Sequence, residues 1–153
     1  MNQFRTLCNQ ALDILNDMEK ENPEIEFSTF TYADGRLLAS TLKEDVDRDL
    51  MACAKTAAFY ISATLANHLR RGEIKKVLIS GNDGNILIQG IGNLGVLTTV
   101  FNKYSSIKKI MSIVKKYQGS LENIERSYKE LLNRYYQECE AVPIGTDETP
   151  ITV

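Results

Sequence analysis

The stretch Ile74–Asn102, IKKVLISGNDGNILIQGIGNLGVLTTVFN, decides how this chain is read. Three runs of aliphatic and β-branched residues, Val77–Ser80, Ile86–Ile91 and Leu94–Phe101, are separated by two glycine-bearing turns. Such residues suit a pleated strand. Asp83-Gly84, within Asn82–Asn85, is a strong hairpin signal. The stretch therefore reads as a three-stranded meander. The segment before it, Val46–Arg71, reads as a helix. Acids open it at the positive end of its dipole, Arg70 and Arg71 close it, and Gly72 is expected to cap it. Leu50, Ala54, Ala57, Ile61, Leu65 and Leu69 form one apolar line along this helix, and Met51, Cys53, Ala58 and Phe59 widen it onto neighbouring faces. One apolar stripe is enough to seat a helix on its own sheet. A second stripe asks for a second partner, or for a helix buried all round.

Working outward, Phe4, Leu7, Ala11, Ile14 and Met18 fall at steps of three and four, which marks a helix from Asn2 to about Glu21. Asn22-Pro23 ends it, because the residue before proline avoids the helical region. Ile25–Tyr32 alternates as a strand, Asp34-Gly35 turns the chain, and Arg36–Thr41 is a short return strand. After the meander a helix is expected over about Lys103–Tyr117, with Ile107, Ile110, Met111 and Val114 inward. Gly119 is expected to break the chain and Ser120 to N-cap a last helix. On that helix Leu121, Ile124, Tyr128, Leu131 and Tyr135 follow a heptad seam. AVPIGTDETPITV at the end has two prolines and no helical period, and reads as a flexible tail. The expected organisation is a core at 1–118, an appended amphipathic helix at 119–141 and a tail at 142–153.

A chain of 153 residues is the size of one ordinary domain. Its net charge of −2 argues against a nucleic-acid partner, which usually selects a basic excess. The acidic balance sits late in the chain, where Glu122, Glu125, Glu130, Glu138, Glu140, Asp147 and Glu148 outnumber Arg126, Lys129 and Arg134. No apolar run approaches the ~18 residues of a membrane span, and the acid-bearing N-terminus is not a signal peptide. The expectation is a cytoplasmic protein with no direct membrane span. Cys8, Cys53 and Cys139 are widely spaced, and His68 is the only histidine. That set lacks the spacing of a metal site and reads as small apolar residues in a reducing compartment.

Several motifs tempt a chemical reading. Gly90-Ile91-Gly92-Asn93-Leu94-Gly95 matches G-x-G-x-x-G, but the dinucleotide fingerprint needs a helix after it and an acid ~20 residues on. A strand follows here, so the glycines are expected to shape a turn. The pairs Lys75-Lys76, Lys108-Lys109 and Lys115-Lys116 read as solvated charge at element ends. Asp45, Asp47 and Asp49 alternate as in a calcium loop, yet Leu50 occupies the place where that loop needs glycine. His68 has no nucleophile elbow or metal motif beside it. No catalytic residue, metal site or cofactor is expected.

The order helix, two strands, long helix, three strands, helix, carried by TYADGRLLAS and LANHLRRGEIKKVLISGNDGNILIQGIGNLGVLTTVF, resembles the Roadblock/dynein light chain family, in its bacterial and archaeal polarity-regulator type. The features that match are Asp34-Gly35, the alanines from Ala52 to Ala66, Gly72-Glu73-Ile74 leading into Ile79, and Asp83-Gly84. They cover about residues 2–117. The resemblance implies an α+β fold with a five-stranded antiparallel sheet and helices on both faces (α-β-β-α-β-β-β-α), plus an appended C-terminal helix. It implies a homodimer, or a heterodimer with a paralogue, built through the central helix and third strand. Ala54, Ala57, Ala58, Ile61, Leu65, Val77 and Ile79 would form that interface. It further implies a regulator or scaffold of a small Ras-like GTPase with no active site of its own, at most GTPase-activating. Arg70, Arg71, Tyr128, Leu131 and Tyr135 are the candidate GTPase contacts. The alternative is a nucleotide-independent structural adaptor that tethers a motor or a complex. A small-molecule sensor is a third reading, and it predicts a ligand-sized cavity.

Overall fold

A computed structural model describes residues 2–43 and 48–141, without the side chains of residues 48–50, 52, 53 and 141. Glu44, Asp45 and Asp47, expected to open the central helix, and the tail at 142–153 lie outside the described residues. The elements run α1 (Asn2–Glu21), β1 (Ile25–Tyr32), β2 (Leu37–Ser40), α2 (Arg48–His68), β3 (Lys76–Ser80), β4 (Asn85–Ile91), β5 (Gly95–Phe101) and α3 (Ile107–Ala141). The five strands form one antiparallel sheet in the order β2-β1-β5-β4-β3. The α+β architecture expected from the sequence is therefore present, with helices on both faces.

Strand registers assign side chains to faces. Ser28 pairs with Thr99, and Thr99 with Leu87. Ser28 donates to the Glu19 carboxylate of α1, which places this set, with Phe30, Leu97 and Phe101, on the α1/α3 side. Here lies the core: Leu15 and Met18 of α1, Phe30 and Phe101 of the sheet, and Ile110, Val114, Leu121 and Tyr128 of α3 are all buried. Thr29, Thr31, Val96 and Thr98 point to the other side, towards α2, where Lys55 donates to Thr29 Oγ1.

Local chemistry sets the element ends. The Glu24 N–H donates to Asn22 Oδ1 at 3.0 Å, so Asn22 closes α1 through its own side chain just before the strand. At the β1–β2 hairpin the Gly35 N–H donates to the Tyr32 carbonyl and the Arg36 N–H to Asp34 Oδ1, with Gly35 at φ 86°. The carbonyl of Ser106 accepts from the Ile110 N–H at 3.2 Å, so α3 starts later than its lysine-rich approach suggested. Lys116 and Tyr117 both reach Glu21, tying the end of α1 to the middle of α3.

One expectation is corrected. Gly119 does not break the chain, and Ser120 is not an N-cap. α3 runs through both as a single helix of 35 residues, so the appended segment continues the third helix. The reason is phase. Ile110, Val114, Tyr117, Leu121, Ile124 and Tyr128 fall at three- and four-residue steps across the glycine, giving one unbroken stripe against α1 and the sheet. Glycine in a helix interior costs only about 1 kcal/mol relative to alanine, well below the burial gained on either side. Open space surrounds the position a Gly119 Cβ would take. Gly119→Ala should raise stability by about 0.5–1 kcal/mol in chemical denaturation. A loss would mean that the chain needs a non-helical conformation there.

Candidate functional site

α2 lies over the sheet with its sides divided in an unusual way. Ala54, Ala57, Ile61, Leu65 and Leu69, an unbroken apolar line, face solvent. Ile61, Leu65 and Leu69 are 66%, 58% and 60% exposed. The side turned to the sheet carries Lys55, Phe59, Ser62, Ala63 and Ala66, with Ala58 half-buried at its margin. Scattered exposed apolar residues are ordinary, but a contiguous stripe marks a contact surface.

β3 extends that surface. Among the described residues it pairs only with β4, and its other edge is open. Val77 pairs with Ile88 in the row of Thr98 and Thr29, and Ile79, two residues on, shares that face, so both point to the α2 side. Val77 is half-buried and Ile79 exposed. An open edge of Val, Leu and Ile invites another strand unless something covers it.

Arg70 and Arg71 stand at the end of α2, both exposed. The Arg71 N–H donates to the Ala66 carbonyl at 2.8 Å and the Arg70 N–H to the Asn67 carbonyl at 3.1 Å. These two bonds define a Schellman cap whose left-handed residue is Arg70, at φ 55°. Gly72, expected to be the cap, lies two residues beyond it at φ 80°. A non-glycine residue pays a steric penalty in this region. The protein thus accepts local strain where it presents two guanidinium groups to solvent.

The remaining candidates separate along α3. Tyr128 is 1% exposed and packs edge-on against Tyr32 at 4.6 Å and beside Phe4 at 5.8 Å, so it serves the core. Leu131 is half-buried and Tyr135 is 61% exposed beside Tyr136. Leu131 and Tyr135 border a cleft of about 510 Å³ with Arg36 and Arg134. The structure thus gathers the α2 line and β3 on one side, and keeps the α3 tyrosines apart from them.

The glycine motif forms the β4–β5 turn. Gly92 takes φ +62°, and a Cβ on Gly95 would sit 3.0 Å from the Phe30 ring. Both glycines are explained by chain geometry.

Lys55 escaped the sequence reading. It is 8% exposed, and its ammonium has one long hydrogen bond, 3.4 Å to Thr29 Oγ1. Burial lowers its pKa from 10.5 to about 8. The sheet below presents Thr29, Thr31 and Thr98, and no carboxylate among the described residues acts on the ammonium. The signal was available, because Lys55 is the only Asp, Glu, Lys or Arg between Leu50 and Leu69.

Comparison with solved structures decides the fold's relationship. MglB of Myxococcus xanthus superposes with a TM-score of 0.70 at 16% identity, covering 78% of this chain and 90% of that one. The gliding protein MglB of Thermus thermophilus gives 0.69 at 16%, covering 78% and 91%. A Roadblock/LC7 domain from Streptomyces avermitilis gives 0.62 at 11%, covering 72% and 96%. The chain has the Roadblock/LC7 fold. No family model matches the sequence, and no curated protein matches it. The Roadblock fold is thus carried here by pattern and packing at very low identity. Among the described residues no helix is long and apolar enough to cross a membrane.

Two outcomes follow from this geometry. Arg70→Gly should raise stability by about 0.5–1 kcal/mol in a denaturant titration, because it releases the steric strain at φ 55°. A fall would assign Arg70 a structural contact. Lys55→Met should stabilise the fold at pH 7 by roughly 1–3 kcal/mol, since it removes a buried cation that no carboxylate among the described residues offsets. Below pH 8 both folded and unfolded wild type hold the Lys55 proton, so the burial penalty is complete. Between about 8 and 10.5 the folded state releases it first, so wild type should gain stability relative to Lys55→Met as pH rises. A flat difference across that range would show that the ammonium is not desolvated.

Proposed function

We propose that this chain is a dimeric, Roadblock-type regulator or scaffold that binds a small Ras-like GTPase, acts in the cytoplasm, and supplies no active site of its own. The observation that carries the dimer is the outward apolar line of α2 beside the uncovered edge of β3. A second copy related by a two-fold axis would bury Ala54, Ala57, Ala58, Ile61 and Leu65 against their own counterparts. It would also pair Val77 and Ile79 across the open edge, extending one sheet through both subunits. A paralogue with the same two features could supply the other half.

The GTPase partner rests on the family resemblance, which the Roadblock/LC7 fold supports. The exposed Arg70 and Arg71, in a strained cap, are the contacts we assign first. Leu131 and Tyr135 at the far part of α3 form the second, with Tyr128 beneath them holding the helix in place. The effect on the GTPase would come from ordering its own switch segments, with at most an arginine lent to its transition state.

Two measurements test this reading. Ala57→Glu combined with Ala58→Glu places charge in the proposed seam, where an unpaired buried charge costs at least about 3 kcal/mol. In light scattering the wild type should run as a dimer of the 17.2 kDa chain and the variant as a folded monomer. A wild-type monomer, or an unchanged variant dimer, would overturn the interface. A pull-down from native lysate, split between a non-hydrolysable GTP analogue and GDP, should enrich a Ras-like GTPase in one arm. Equal recovery in both arms would favour a nucleotide-independent adaptor.

A further inference from the structure

The inner side of α2 carries a feature that neither dimerisation nor GTPase contact uses. A cavity of about 350 Å³ lies between α2 and the sheet, walled by Phe59, Ala63, Leu94 and Val96, with Lys55 on its wall. That volume is at the small end of ligand sites, which are mostly apolar with a few placed polar groups. The cavity suits an apolar body, and Lys55 adds a charge.

Two groups on this face lack acceptors. A lysine ammonium has three donors, and Lys55 has one 3.4 Å bond to Thr29 Oγ1 among the described residues. Thr98 pairs directly with Thr29 across the β1–β5 ladder, on the same face. Its hydroxyl is buried and has no hydrogen-bond partner among the described residues. Side chains of directly opposed residues lie about 5 Å apart at Cβ. One row further along this face, Thr31 and Val96 line the cavity itself. A buried cation on the cavity wall and a buried hydroxyl one row beyond its lining are thus both short of an acceptor among the described residues.

A carboxylate fits this pair. Its charge offsets the ammonium, and its two oxygens accept from two separate donors. We propose that the seam between α2 and the sheet binds a small monocarboxylate with an apolar body. The body would occupy the space between Phe59 and Val96, and the head would rest on Lys55 Nζ and Thr98 Oγ1. An alcohol of the same length brings no charge to offset the ammonium, and a cationic amphiphile repels it.

The test uses the purified full chain without any GTPase, so its outcome is independent of the function proposed above. Sodium octanoate and 1-octanol are titrated at pH 7 by calorimetry, with thermal denaturation alongside. Octanoate should bind with Kd at or below about 1 mM and raise the melting temperature, and octanol should bind at least tenfold more weakly. Lys55→Met should cost octanoate at least tenfold while leaving octanol unchanged. Thr98→Val, close in shape to the original, should weaken octanoate several-fold and serves as the second variant should Lys55→Met fold poorly. No octanoate binding by wild type would overturn the proposal. So would equal affinity for acid and alcohol, or octanoate binding that neither substitution changes.

Discussion

A five-stranded sheet has two faces to cover, and here three helices divide them unequally. α1 and α3 take one face with large side chains in register: Leu15, Met18, Ile110, Val114, Leu121 and Tyr128 close over Phe30 and Phe101. Those side chains belong to the buried core that holds the chain together. The other face falls to α2 alone, and its sheet side carries threonines at positions 29, 31 and 98 where aliphatic residues would be expected. A polar-edged face needs less apolar cover, so α2 can turn its small and charged residues inward. Its aliphatic line is thereby left for something else.

The parts legible in sequence were those in which one periodicity answered to one surface. The three- and four-residue steps of α1, the Asp-Gly turns and the meander strands all lie within a residue or two of where they were read, because local periodicity and turn chemistry alone set their bounds. Gly119 misled because its local cost was weighed without the packing on either side. Tyr128 looked like part of an open seam because the seam's outer end, at Tyr135, is open while its inner end is the core. Lys55 was passed over because an alanine-rich helix reads as apolar whichever way it turns. Which side faces the sheet is a tertiary fact, and the pattern allowed both. The cap at Arg70 was hidden for a similar reason, since Gly72 two residues on satisfies the usual composition rule.

Three conflicts between local preference and final structure fall on one element, α2. At the turns local preference and final structure agree: the glycines at 35 and 92 have the positive φ that glycine favours, and Gly95 sits where a side chain would strike Phe30. That is why the G-x-G-x-x-G letters carry no chemistry here, as geometry accounts for them. On α2 agreement fails three times over. An aliphatic line faces solvent, a cation faces the interior, and an arginine takes a conformation suited to glycine. Sequences that fold well keep such conflicts few, and tolerate them where function requires them. Each of the three has a different remedy: a second apolar surface, an anion, and a partner that reads a guanidinium. None of those remedies is found among the described residues. The chain alone therefore supplies a sheet with one face well closed, and α2 is the place where its physics asks for other molecules.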